Sequence, residues 1–374
     1  MKQAKHVRWV VLGIAVVLLS TACVLGQVRQ EVRIPDIRGY KTLKCDFHQH
    51  TVFSDGNVWP TVRVEEAWRE GLDAIAITDH IEYQPHKQDV PTNHNRPYEI
   101  ALPTAKERGL LLIKGAEITR DTPPGHFNAL FLEDVNPLDT KELLDAMAAA
   151  DNQGAFIWWN HPDWKPEHKG WFDIHTTLYE KKYLRGIEVV NGSSYYPDVQ
   201  RWALDKNLTF MANSDIHAPS LLERSTAEKH RPMTLVFARE KNIPAVKEAL
   251  VSGRTAIWFE NKIIGLRQHL EALFEATIRI TDIERDGKVV RFTLRNVSDL
   301  PLELQRTDGP GPKELVLPGE AVMRVRVNAG NPEKPVEMSY TVKNFLIAPE
   351  EGLPVGLTIA GQVTSDAKAE AAAP

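Results

Sequence analysis

The chain has little cysteine: Cys23 and Cys45 are the only two in 374 residues. A disulfide-stapled scaffold and a cysteine-rich metal site are therefore excluded. It also lacks a surplus of basic charge. Lys and Arg number 45 against 50 Asp and Glu, a net charge of −5, so no long nucleic acid is expected as a partner. There is no Gly-x-Ser-x-Gly elbow, no reactive-cysteine setting and no Gly-x-x-x-x-Gly-Lys-Ser/Thr loop. Chemistry by an activated serine or cysteine, and phosphate binding by a P-loop, are set aside with them.

What is present begins with a targeting pattern. Lys2, Lys5 and Arg8 precede the apolar run Trp9–Leu19, which is short for a membrane span, and Ser20-Thr21-Ala22 reads as a cleavage site. Residues 1–22 are expected to be a signal peptide. Cys23 directly after it resembles the acylated cysteine of bacterial lipoproteins, implying export to the periplasm or lipid anchorage to a membrane through Cys23. Residues 23–42 read as a polar linker. Cys45, inside an apolar run, reads as a buried core thiol.

From Leu43 onward strand-like and helix-like segments alternate. The strand candidates are Leu43–Phe47, Ala74–Thr78, Leu110–Ile113, Phe127–Leu132, Ala155–Trp159, Gly186–Val190 and Leu208–Ala212. Helices are expected over Val62–Glu70, Tyr98–Arg108 and Lys141–Asn152, the first two closed by glycine. Strands apolar on both faces between helices argue for a (β/α) barrel, whose active site lies at the strands' C-terminal ends. Nine potential metal ligands map to that end: His48, His50, Asp55, His80, Glu117, His126, His161, Asp215 and His217. Residues two apart on a strand share a face, so His48 and His50 can converge, as can Asp215 and His217. Imidazoles and carboxylates are the usual ligands of Zn, Mn and Fe, and so many donors imply more than one ion. His6, His175 and His269 read as ordinary packed or surface histidines.

Past Thr277 the period changes. Val290, Phe292 and Leu294 alternate with Arg291, Thr293 and Arg295, and Pro and Gly separate further short strands. Residues 277–362 are expected to form a small C-terminal β-sandwich, and 363–374 a disordered, Ala-rich tail.

The run Asp46-Phe47-His48-Gln49-His50-Thr51-Val52-Phe53-Ser54-Asp55-Gly56 resembles the first motif of the PHP family, named for polymerase and histidinol phosphatase domains. Thr78-Asp79-His80, Gly115-Ala116-Glu117 with His126, Asn160-His161-Pro162 and Ser214-Asp215-Ile216-His217 resemble its remaining motifs, in order. The phrase Phe127-Asn128-Ala129-Leu130-Phe131-Leu132 is most similar to the Sb-type phosphodiesterase branch. The resemblance implies a distorted (β/α)7 TIM-like barrel over residues 43–260 with two to three divalent metal ions (Zn, Mn or Fe). It implies one ion on His48, His50, Glu117 and Asp215, a second on Glu117, His126 and His161, and a third on Asp55, His80 and His217. A metal-bridged hydroxide would then hydrolyse a small phosphoester, most naturally an organic phosphodiester, with Glu117 and Asp215 catalytic. A phosphomonoesterase of the histidinol-phosphatase type and a non-catalytic, metal-stabilised envelope protein are the competing readings. For substrate charge, the loop Glu82–Pro97 offers His94 and Arg96, and Arg224–Arg231 offers a second basic stretch. Trp164 and Tyr195 are candidate pocket walls.

Overall fold

A computed structural model describes residues 28–360, apart from 91–92, 223–225, 227–228 and 332. The expected signal peptide, Cys23, Arg224 and the tail lie outside the described residues. No helix among the described residues is long and apolar enough to cross a membrane.

The elements run β1 (Lys41–Asp46), α1 (Pro60–Arg69), β2 (Ala74–Ile77), α2 (Arg96–Arg108), β3 (Leu111–Ile118), β4 (Phe127–Leu130), α3 (Leu143–Asp151) and β5 (Phe156–Trp159). Then follow α4 (Asp173–Glu180), β6 (Leu184–Asn191), β7 (Ser194–Tyr195), α5 (Pro197–Asp205), β8 (Thr209–Asn213), β9 (Met233–Ala238), α6 (Ile243–Val251), β10 (Thr255–Phe259), β11 (Lys262–Gly265) and α7 (Arg267–Thr277). The barrel staves run in the order β1-β2-β3-β4-β5-β6-β8. β2 and β5 are wholly apolar and buried, because both their faces are covered, by barrel interior and outer helices. Cys45, Phe47, Ile113, Phe156, Trp158 and Met211 fill the interior. Gly109 ends α2 in the left-handed conformation at φ 64°, a geometry that costs glycine little.

The staves are not all parallel. β4 pairs antiparallel with both β3 and β5, because only residues 119–126 connect β3 to β4. That is too short for a helical crossover, so the chain turns back as a hairpin. The ring closes between β8 and β1 through backbone bonds beyond the strand ends: the Asp215 amide donates to the His48 carbonyl (2.9 Å) and the His50 amide to that of Ile216 (3.0 Å). Below this, β9 pairs antiparallel with β1. It meets β8 through a side chain, the Thr234 hydroxyl accepting from the Ala212 amide and donating to its carbonyl.

β12 (Ile278–Asp286), β13 (Val289–Asn296), β14 (Leu302–Asp308), β15 (Glu314–Leu317), β16 (Val322–Asn328), β17 (Val336–Ala348) and β18 (Glu351–Ile359) build the C-terminal sandwich. One sheet is β12-β13-β16. The other, β15-β14-β17 with β18 beside β17, is continuous with the barrel, because β17 pairs in parallel with β11. The sequence 23–42, expected to be a linker, is packed where it is described. Val32, Ile34 and Ile37 are buried. The Gln30 amide donates to the Arg69 carbonyl and the Arg33 amide to Asp299, so this strap ties α1 to the sandwich.

Candidate metal centre

Strand direction explains the gathering of the nine side chains. His48 and His50 follow β1, His80 follows β2, Glu117 sits in β3, His161 follows β5, and Asp215 and His217 follow β8. His126 precedes β4 instead of following it. Since β4 is reversed, its start lies at the same barrel end as the finish of the other staves.

Glu117 stands at the centre, fully buried. Its Oε1 lies 3.4 Å from His48 Nε2, 3.1 Å from His126 Nδ1 and 3.6 Å from His161 Nε2. Its Oε2 lies 3.4 Å from His50 Nε2 and 2.8 Å from His80 Nδ1. Asp215 Oδ1 is 3.1 and 3.0 Å from the Nε2 atoms of His48 and His50. Asp55 Oδ1 is 3.5 Å from His80 Nε2 and 3.2 Å from His217 Nε2. Converging donor atoms fall into four overlapping groups, each within 4.8 Å: His50–Asp55–His80–His217, His48–His50–Glu117, His48–His161–Asp215 and His80–Glu117–His126.

The donor atoms fit cations better than they fit one another. Nε2 of His48 and of His50, Asp55 Oδ1 and Glu117 Oε2 are buried without a hydrogen-bond partner among the described residues. Leaving so many buried polar atoms unpaired is costly unless something else binds them. A nitrogen-and-oxygen set of this kind suits Zn, Mn or Fe(II). Backbone strain falls on the same residues. His161 and Asp215 hold φ of 29° and 52°, a region non-glycine residues enter at a cost and one associated with functional sites.

Burial and charge pull the titrations apart. Burial disfavours a charged His50, whose pKa is pushed down to about 3, with His80 nearby acting in the same sense. Burial also opposes the charged form of His80, but Glu117 and Asp55 outweigh it and raise that pKa to about 9. For Glu117 burial favours the neutral acid, yet His80, His48 and His126 hold it well below the usual carboxylate range.

The supporting residues carried little signal in the sequence. Glu188, buried in β6, accepts from His48 Nδ1 (2.9 Å), the His161 amide (2.9 Å), Asn191 and Asn213. It orients two ligands at once, the carboxylate–histidine arrangement common behind metals. Asp79 accepts from the Thr51 amide and hydroxyl and from the Ser54 hydroxyl, shaping the turn that carries Asp55. Arg63, buried in α1, donates to the carbonyls of His50, Ile216, His217 and Ala218, fastening the first and last ligand loops together. An acidic residue inside an apolar strand, as at Glu188, is the one signal that could have flagged any of these.

The expected substrate groups fall elsewhere. Arg96 is not on a loop. It opens α2 and pairs with Glu99 one turn on (2.8 Å), which points it away from the role assigned to it. His94 is held by Gln84 (3.2 Å) and faces Asp139 (3.6 Å). No hydrogen bond or ion pair joins either to the nine. Arg231 is buried between Asp46 and Glu70 and serves the fold, while His230 packs on Trp258. The Tyr195 hydroxyl is tied to Gln200. Trp164 does wall the site: its half-exposed ring lies 6.0 and 5.5 Å from those of His126 and His161. Tyr83, which the sequence did not single out, is exposed with its ring 6.0 Å from His80. A cleft of about 860 Å³ opens beside His126, lined among others by Arg120, Lys141, Trp164 and Lys165. His175 stacks on Trp159 and His269 packs near Phe237, both as core residues.

Comparison with known proteins gives the following. A family model described as an Ig-like domain matches residues 277–358. A search of curated proteins finds no match. Among solved structures, a two-domain protein from Bacteroides vulgatus ATCC 8482, containing a predicted PHP-like metal-dependent phosphoesterase, is 44% identical over 89% of this chain and 100% of its own, with a TM-score of 0.85. A candidate metal-dependent phosphoesterase from Bifidobacterium adolescentis ATCC 15703 is 17% identical over 55% of this chain and 95% of its own, with a TM-score of 0.40.

Proposed function

The chain belongs to the family of PHP-like metal-dependent phosphoesterases, and on that premise we propose that it hydrolyses small organic phosphodiesters at a centre of two or three Zn, Mn or Fe ions. The observation that carries this reading is the set of five imidazoles around the buried carboxylate of Glu117.

Divalent ions held there would lower the pKa of water towards neutrality and clamp the oxygens of an in-line displacement. Glu117 can serve two ions at once, because its two oxygens face different imidazoles. Asp215 approaches His48 and His50 through the single atom Oδ1. Asp55, His80 and His217 form the flank nearest Tyr83, and His126 and His161 form the flank nearest Trp164. A diester keeps one negative oxygen and carries a second organic group, so an aromatic wall on each flank suits it better than a purely charged pocket. The protein is further proposed to be exported, with its mature N-terminus at Cys23; mass spectrometry of protein from its native host checks this.

The test is turnover by purified, metal-loaded protein on matched phosphomonoesters and phosphodiesters, with metal content measured in parallel. Diesters should be the better substrates, with two to three ions bound per chain. A large preference for monoesters would remove the diester assignment and leave the phosphoesterase. Turnover of neither class by fully loaded protein would remove both.

A further inference from the structure

The cleft beside His126 carries more positive charge than the folded chain uses. Its lining includes Lys87, Arg120, Lys141 and Lys165 against Glu82, Asp121 and Asp139. One of the three acids is fully paired. Glu82 accepts from Arg120 and from the Thr119 amide, and Asp139 faces His94. Arg120 is likewise committed, to Glu82 and to the carbonyls of Thr119 and Thr140. Lys87, Lys141 and Lys165 make no ion pair among the described residues, which leaves three ammonium groups against the carboxylates of Asp121 and Asp139. Lys165 Nζ sits over the Trp164 ring, 4.7 Å from its centroid, so an aromatic surface and a cation are presented together. The Nε of Arg120 and the hydroxyl of Thr122, next to Asp121, are buried without partners among the described residues.

Resting on the phosphoesterase reading, we propose that this cleft is a subsite for a second anionic group, carried on the organic part of the substrate beyond the scissile phosphate. Its inner end is His126, so a bound phosphoester projects one substituent along Trp164 towards Lys165, Lys141 and Lys87. The class recognised is an organic phosphoester with a planar or apolar portion next to the phosphorus and a carboxylate or second phosphate further out. Exposed lysines each contribute weakly to such a contact, through a field that salt screens. Three together are expected to favour the anionic substituent by about tenfold in kcat/KM.

The experiment uses the metal-loaded full chain and two matched pairs of esters: methyl phenyl phosphate against methyl 4-(carboxymethyl)phenyl phosphate, and the corresponding monoesters. The methylene insulates the ring, so the two leaving groups have similar basicity and differ in the remote charge. The carboxymethyl ester is expected to win by about tenfold, mainly through a lower KM, and the advantage should shrink as NaCl is raised. In the variant combining K87M, K141M and K165M the ratio of the two kcat/KM values should fall towards one, with circular dichroism and metal content as in the parent. Equal kcat/KM for the two esters in the parent, or a ratio unchanged in the triple variant, overturns the subsite and leaves the phosphoesterase standing. If no ester turns over, the phosphoesterase reading fails by itself. Competition between phenylphosphonate and its carboxymethyl analogue, read by calorimetry, then decides the subsite: tighter, lysine-dependent binding of the carboxylate form supports it, and equal binding overturns it.

Discussion

The metal end of the barrel and the Ig-like sandwich obey opposite rules. In the sandwich, Val290, Phe292 and Leu294 are buried while Arg295 of the same strand faces out, and polar groups find partners, as Asn296 does with the carbonyls of Leu300, Leu317 and Pro318. At the barrel end, charged and titratable side chains are buried together, and several donor atoms have no hydrogen-bond partner among the described residues. The first region is built for stability. The second gathers groups that pair only partly with one another, and it depends on surrounding structure to keep them there. Mutations should therefore separate activity from stability according to the region they strike.

The largest effect is expected at Glu117. Glu117→Gln removes the charge shared by five imidazoles, so turnover should fall by orders of magnitude and bound metal should drop, with the fold retained. Steady-state kinetics with elemental analysis reads both, and near-parental values for both would erase the contrast. Phe292→Ala tests the opposite region. It empties a fully buried position in the sandwich and should cost about 3–5 kcal/mol of stability, with kcat intact well below the melting temperature. Calorimetry is the suitable probe, since all the tryptophans precede the sandwich.

Glu188→Gln sharpens the comparison within the barrel. It leaves the nine ligands in place but weakens the orientation of His48 and His161, and metal affinity should fall by about 10- to 100-fold, measured by competition with a chelator. The smallest effect is expected at the barrel's other end. Asp73, near Lys44 and Lys241, is pushed up by burial but more strongly down by those lysines, so its pKa lies below the ordinary value. Its stabilising contribution is therefore complete above the unfolded-state pKa and is lost as pH falls through the folded-state value. Urea midpoints of the parent should fall more steeply on acidification than those of Asp73→Asn; parallel curves would deny Asp73 that role.

Sequence alone carried the ligand set a long way. Strand periodicity and the runs ending in His48-Gln49-His50, Thr78-Asp79-His80 and Ser214-Asp215-Ile216-His217 mark chemistry that is local in the chain: a short apolar strand followed by donors two residues apart. The sandwich was legible for the same reason, because alternation with period two is written residue by residue. Arg96 shows where local reading stops. Its charge was visible, but not its capture by Glu99 at the start of α2. Met233–Ala238 and Thr255–Phe259, strands that extend the sheet beside β1 from outside the seven-repeat pattern, were also missed, since a strand's place in a sheet depends on partners far along the chain.

What the sequence by itself determined is the inventory: which strands, which donors, and a second domain of different period. What only the tertiary structure decided is which groups face one another. The reversal of β4 delivers His126 to the ligand face, Glu188 reaches His48 from 140 residues away, and Arg63 joins the loops of His50 and His217. That Lys87, Lys141 and Lys165 make no ion pair among the described residues is likewise visible only in three dimensions. Pairing energies fall off over a few ångströms, and distance in space is the quantity that separation along the chain does not report.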